Sequence, residues 1–466
     1  MPENLPETLG ELIQSGYTTR TVKEEIRTNL VRRIEAGSEV FPGIVGFDDS
    51  VIPQIQNAIL AGQDIILLGE RGQAKSRIIR LLVDLLDEYI PFLKGSEIND
   101  DPLDPISQYG KETLASDKKN TKIDWLPKAD RYAEKLATPD VSVADLIGEI
   151  DPIKVAEGRY LSDTMAIHYG MIPRTNRGLF CINELPDLTE RIQVSLFNLM
   201  QERDIQIKGH QVRLPLDMII VATANPEDYT NRGRIITPLK DRYGAQIRTH
   251  YPSDVSQEMD IVTQEYKKFS DSDELVKTPE FMKEIIGEIT HLARRSPEIN
   301  QRSGVSLRVS ISNFETMIGQ AFRRGLINNR ISSPRISDLP YLIASTIGKV
   351  ELETVEEGLE AKIVGDIVDR AVLNIFTNHT EPDEFDFLLE EFQEGIIIQA
   401  GSAIDNDKYM SLINKFENLT DKLSALCEPI KDDSAIISAF EFVLEGLYLS
   451  KKISKKSEDK TAEYAI

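Results

Sequence analysis

Apolar and polar positions follow three regimes along the chain. Residues 1–40 are polar, and "TVKEEIRTNLVRRIEAG" spaces its apolar positions as a helix that stops at a glycine. From Phe41 to Pro252, short apolar runs alternate with amphipathic stretches. Ile65–Leu68, residues 179–182 and "MIIVATAN" are continuous apolar runs, the pattern of strands buried on both faces of a parallel sheet. Helices are expected from about Ser76 and across "DLTERIQVSLFNLMQER". Strand–helix alternation predicts an α/β fold, a doubly wound parallel sheet.

Within this region "IQIKGHQVRLP" predicts a hairpin, with Ile205, Ile207, Val212 and Leu214 flanking a Lys208-Gly209-His210 turn. The polar stretch from Pro91 to Arg177 reads as an elaboration of the core, with "DLIGEIDPIKVAEG" its most structured piece. After Pro252 the pattern is helical nearly to the end, and "KKISKKSEDKTAEYAI" reads as a frayed tail.

At 466 residues the chain is too long for one ordinary core, so two or three domains are expected. The start has neither a basic nor an apolar leader region, and no apolar run is long enough to span a bilayer. Cys181 and Cys427 cannot build a disulfide framework, which favours a reducing cytoplasm; Cys181, inside "LFCI", reads as a core residue. A net charge of -23 argues against nucleic acid as a partner. The charge is concentrated: from Glu351 onward 26 Asp plus Glu face 11 Lys plus Arg, marking a distinct acidic C-terminal region.

Two stretches carry chemistry. "GERGQAKS", Gly69 to Ser76, fits G-x-x-x-x-G-K-[ST] except that Ala74 replaces the second glycine. Such a loop turns backbone N–H groups toward phosphate oxygens. Lys75 would reach the β- and γ-phosphates, and the Ser76 hydroxyl would face magnesium, at a helix N-terminus that favours an anion. The Ala74 Cβ is expected to crowd the loop.

"GLFCINELPDL" ends its apolar run on Asn183-Glu184, where a P-loop ATPase carries Asp-Glu. Glu184 is placed to polarise an attacking water. The Asn183 amide oxygen can accept from a metal-bound water but brings no charge, so weakened magnesium binding is expected. The plainer alternative is a polar strand end, with Asp187 or Thr189 capping the next helix.

In this order the motifs resemble those of the AAA+ ATPases, specifically the magnesium chelatase I-subunit and MoxR branch, over about Phe41 to Arg308. The resemblance implies an AAA+ P-loop sheet with a helical lid, here followed by an additional acidic helical region. It implies that ATP and Mg2+ are the ligands. Val45 and Gly46 in "FPGIVGFDDSV" would lie against the adenine. The phosphates would be held from Gly69 through Glu70, Arg71, Gly72, Gln73 and Ala74 to Lys75, Ser76 and Arg77, with Ser76 and Asn183 on the metal side.

Glu184 would be the catalytic base and Asn225, in "ATANPEDYTNRGRIITPLKDRYG", the sensor 1 amide. Arg242 would be the arginine finger offered to a neighbouring subunit, with Arg232 and Arg234 the other trans candidates. Arg308 would be sensor 2, with Arg302 its rival. The branch further implies a ring, usually of six, and a partner protein bearing a von Willebrand A domain. The domain boundaries expected are 1–40, 41–252, 253–378 for the lid and 379–466 for the acidic extension.

Three functions stand open at this point, and a fourth, a DNA-directed transcription activator, is disfavoured by the net acidity and by the lack of a convincing helix-turn-helix after the lid. The first is a ring ATPase that remodels or activates a partner. The second is the motor of magnesium insertion into protoporphyrin. The third is an ATP-binding assembly scaffold that hydrolyses poorly.

Overall fold

The computed structural model describes residues 5–150, 167–202, 205–207, 210–212, 214–225, 233–269, 274–301, 303–353, 358–381, 383–458 and 461–466. The chain divides into two compact units, Met1–His250 and Tyr251–Ile466.

The first unit is built on five parallel strands: β1 (Ile65–Leu68), β2 (Tyr132–Leu136), β3 (Gly178–Asn183), β4 (Met218–Ala224) and β5 (Ala245–Arg248). Their order across the sheet is β5-β1-β4-β3-β2. Every residue of β1, β3 and β4 is buried, as continuous apolar runs require.

Side-chain alternation sorts these strands onto two cores. Ile65, Leu67, Leu179, Cys181, Ile219 and Val221 face a layer formed with α1 (Val22–Glu35), α2 (Val51–Leu60) and α3 (Lys75–Leu81). Ile66, Leu68, Phe180, Ile182, Ile220 and Ala222 face the opposite layer with α4 (Glu190–Glu202) and α5 (Thr237–Arg242). The parallel sheet with helices on both faces is the doubly wound α/β fold expected from the strand–helix alternation.

The N-terminal segment is part of this unit. Thr21 and Glu24 form a capping box at the start of α1. Glu25 receives both terminal nitrogens of Arg131 at 2.7 and 2.6 Å, a buried bidentate pair that ties α1 to the strand-β2 side of the sheet.

Three expectations need correction. The stretch from Pro91 to Arg177 is more than an elaboration, because it supplies β2, the edge strand of the main sheet. The second unit is not helical to its end. Ile398–Ala400, Ser454–Glu458 and Thr461–Ala465 form a small antiparallel sheet with the last strand in the middle.

The supposed frayed tail is therefore ordered over its described residues, for physical reasons. Tyr464 is 3 % exposed and hydrogen-bonds the buried Glu445, to which Lys455 also donates at 2.8 and 2.7 Å. The expected hairpin is present as Ile205–Ile207 paired with His210–Val212, and its Lys208-Gly209 turn lies outside the described residues.

The second unit packs α6 (Val255–Glu265), α7 (Glu280–Ala293), α8 (Arg308–Asn328), α9 (Leu359–His379) and α10 (Asp433–Leu449) around a single core. Phe442 of α10 stacks on Phe281 of α7 at 4.5 Å between ring centroids and meets Phe376 of α9 edge-on at 5.7 Å. Gly446 is required here, since a Cβ would lie 2.3 Å from the Phe376 ring. The lid segment and the acidic extension thus share one core.

Candidate active site

The carboxyl ends of β1, β3 and β4 converge at the loop "GERGQAKS". The Gly69 N–H donates to the Ala224 carbonyl at 3.0 Å, which sets the base of the loop beside Asn225, itself 3 % exposed. Lys75 is 7 % exposed, and its ammonium donates to the Gly69 and Glu70 carbonyls, each at 2.6 Å. A buried ammonium is tolerated because these carbonyls partner it.

The loop is fastened from the end of β5, the edge strand paired with β1. Gln73 is 6 % exposed, and its side-chain oxygen accepts the Glu70 N–H at 3.1 Å and the Thr249 hydroxyl at 2.7 Å. Gly69 must be glycine, as a Cβ there would lie 1.9 Å from the Thr249 hydroxyl oxygen. Sequence reasoning missed Thr249, whose partner lies 176 positions away.

Ala74 stands at the backbone position of the missing glycine. It takes the left-handed conformation, φ 55°, and so keeps the glycine-like turn into α3 at the cost of its own strain. Gly72 is also left-handed, at φ 78°. Glu70, Arg71, Ser76 and Arg77 sit around this turn, with Arg71 exposed and Ser76 and Arg77 half-buried at the start of α3.

Val45 and Gly46 precede Phe47, whose ring meets His250 edge-on at 4.9 Å. The His250 ring nitrogen lies 2.8 Å from the Ser50 hydroxyl, which moors this segment to the end of β5.

At the end of β3, Glu184 is left-handed at φ 56°, an uncommon state for a non-glycine residue. Its N–H donates to the Thr223 hydroxyl at 3.0 Å, and that hydroxyl donates to the Asn183 side-chain oxygen at 3.2 Å. The Asn183 amide nitrogen donates to Glu134 of β2. The oxygen expected to serve a metal-bound water is therefore engaged by Thr223. Cys181, buried on the same face, has its thiol pushed up to about 12 by burial.

Glu134 also accepts from Arg80 of α3, at 3.0 and 3.2 Å, and from the Tyr132 hydroxyl at 2.8 Å. Burial pushes its carboxyl up, but Arg80, Tyr132 and Asn183 outweigh that and hold it below the usual carboxylate range. A magnesium ion fits the oxygen chemistry of Ser76. Among the described residues no three His, Cys, Asp or Glu side chains form a metal cluster.

The remaining candidates are more scattered. Arg242 ends the helix Thr237–Arg242; it is exposed, donates to Gln201 of α4 at 2.8 Å and lies 5.5 Å from the Phe197 ring centroid. Arg234 is exposed, whereas Arg232, Arg302 and residues 226–232 and 151–158 lie outside the described residues. Arg308 is exposed at the start of α8, in the second unit.

By sheet order and phosphate loop, the first unit has a P-loop nucleotide-binding fold of the kind found in AAA+ ATPases. The chain's sequence relatives include magnesium-chelatase I subunits. It is 28% identical over 228 residues to magnesium-chelatase subunit ChlI of Mesostigma viride, covering 47% of this chain and 59% of that protein. It is 26% identical over 306 residues to the ChlI subunit of a Nostoc species, covering 62% and 75%. A ChlI homolog of Methanocaldococcus jannaschii is 28% identical over 232 residues, covering 48% and 58%.

The chain thus spans under two thirds of the length of the Mesostigma protein. The sigma-54 interaction domain family matches residues 156–240. Among solved structures, the magnesium chelatase BchI–BchD complex is similar at a TM-score of 0.37 and 18% identity, covering 69% of this chain and 98% of that one. Among the described residues no helix is long and apolar enough to cross a membrane.

Proposed function

We propose that the chain binds ATP with magnesium at the ends of β1, β3 and β4 and hydrolyses it, working as a ring-forming ATPase that remodels or activates a partner protein. The observation that carries this reading is the buried Lys75 ammonium at the mouth of a phosphate loop, with Glu184 following β3 at the carboxyl edge of the same sheet.

Lys75 would exchange its two carbonyl partners for phosphate oxygens, and the loop N–H groups would complete the cradle. Glu184 would take the proton of the attacking water, and Asn225 would orient that water or report on the γ-phosphate. Magnesium, held by Ser76 from the protein side, would supply charge neutralisation for the phosphates. Arg242 and Arg308 are proposed to face phosphate in trans and from the lid. Arg242 would have to leave Gln201 and Phe197 to do so.

A six-membered ring, a partner with a von Willebrand A domain and a cytoplasmic setting belong to the same proposal. The relatives' names make magnesium insertion into protoporphyrin a narrower form of it. A nucleotide-gated scaffold with slow hydrolysis is the second reading, favoured by the engagement of the Asn183 oxygen by Thr223.

Steady-state phosphate release from ATP and magnesium tests the choice. Turnover that Glu184→Gln abolishes while ATP still binds supports the motor. Tight binding with no turnover in the unaltered chain supports the scaffold.

A further inference from the structure

We infer that Glu134 supplies, from the neighbouring strand, the negative charge that Asn183 lacks at the magnesium side of the nucleotide site, with Arg80 as its competing counter-ion. This rests on the nucleotide-binding reading above.

The register of the sheet brings these residues together. Glu134 pairs with Cys181 and, one strand further, Val221 pairs with Cys181. Paired residues of parallel strands share a face, and residues two apart do too, so Glu134, Asn183 and Thr223 all point to the layer that contains α3. Ser76 and Arg80 stand four apart on α3, on one side of the helix, and Arg80 reaches Glu134. The carboxylate therefore lies under the helix face that carries the metal-side hydroxyl.

Hydrogen-bond direction decides what Asn183 does. Its oxygen accepts from Thr223 and its amide nitrogen donates to Glu134. The reverse orientation would turn the amide oxygen toward a carboxylate, which cannot donate. Waters on magnesium donate hydrogen bonds, so the acceptor they need is the carboxylate that Asn183 orients.

Two of the four hydrogen bonds Glu134 accepts come from Arg80, whose side chain is 63% exposed. An exposed guanidinium leaves such a pair at little cost. Arg80 thus occupies the positions that a hydrated cation would take.

The test is ATP binding by calorimetry, in saturating magnesium and in EDTA, for the unaltered chain, Glu134→Gln, Arg80→Gln, Asn183→Asp and the double variant Glu134→Gln/Asn183→Asp. Glu134→Gln should lower the magnesium enhancement of affinity about tenfold while leaving EDTA affinity unchanged. Arg80→Gln should raise that enhancement, because the competing cation is gone. Asn183→Asp alone adds a second carboxylate on the metal side and should raise it.

The double variant exchanges amide and carboxylate and restores their hydrogen bond, so it should recover the original enhancement. A plain surface ion pair predicts equal, small effects from Glu134→Gln and Arg80→Gln. Unchanged magnesium enhancement in Glu134→Gln overturns the inference. If Glu134→Gln loses EDTA binding through misfolding, failure of the double variant to recover the enhancement overturns it. Absence of ATP binding by the unaltered chain overturns the nucleotide reading itself, a result distinct from either of these.

Discussion

Gln73 and Thr249 meet at 2.7 Å across the base of the phosphate loop, joining residues 176 positions apart in the first unit. The Gln73 oxygen also holds the Glu70 N–H, so one side chain fixes the loop's entry and ties it to the end of β5. Thr249→Val keeps the shape and removes the donor, leaving a buried oxygen with one partner fewer. The expected outcome is a loss of about 1–2 kcal/mol in urea unfolding of the full chain. Weaker ATP binding should accompany it. An unchanged midpoint would mean the contact is dispensable.

Lys75 loses more when truncated. Lys75→Ala removes the ammonium from two carbonyls and from the phosphates it is proposed to meet. Charge-assisted hydrogen bonds contribute about 1.5–3 kcal/mol, so ATP affinity should fall roughly ten- to hundredfold. Equilibrium binding of a fluorescent ATP analogue measures this. Affinity within twofold of the unaltered chain would displace the phosphate site from this loop.

Ala74 offers the opposite sign. Its left-handed backbone at φ 55° costs a residue with a Cβ about 1–2 kcal/mol, and glycine does not incur that cost. Glycine gives back part of the gain through its freer unfolded chain. Ala74→Gly should therefore stabilise the chain by about 0.5–1 kcal/mol, read as a higher denaturation midpoint. A lower midpoint would show that the methyl group contributes packing worth more than the strain.

The second unit carries a pH-dependent pair. His379 pairs with Glu284, and its pKa is raised above the ordinary histidine value by the hydrogen bond to Glu284, against burial, with Glu280 adding to the attraction. A raised folded pKa gives a contribution that is complete below about 6.5 and is lost as pH rises through the folded value. Both side chains are about a third exposed, so solvent screening keeps the effect under about 1 kcal/mol. Thermal melts at pH 6 and pH 8.5 should differ less for His379→Gln than for the unaltered chain. An identical difference in both would remove the pair from the account.

What the sequence revealed and what it hid divide along physical lines. Ile65–Leu68 and "MIIVATAN" were legible because strands buried on both faces need unbroken apolar runs. The phosphate loop was legible because its residue types are dictated locally. Strand β2 was not: "YAEKL" is only half-buried and carries two charges, so its pattern resembles a loop.

Glu134 was hidden for a further reason, since its place beside Asn183 depends on a register set across 49 positions. Thr223 stands within a legible strand, yet its hydroxyl matters only once β3 lies alongside. The C-terminal strands were concealed by a lysine-rich composition that suggests solvent, although the Lys455 ammonium reaches the buried Glu445 and lies over the Tyr464 ring.

The small sheet of the second unit has a bearing on how the chain is made. Thr461–Ala465 is the latest of its three strands in sequence and the middle one in space. Ile398–Ala400 therefore waits through some sixty further residues before the ribosome delivers its partner, and Glu445 waits with it for the Tyr464 hydroxyl. This unit cannot seal co-translationally from its amino end. Its closure is a late event, governed by the arrival of a single short segment.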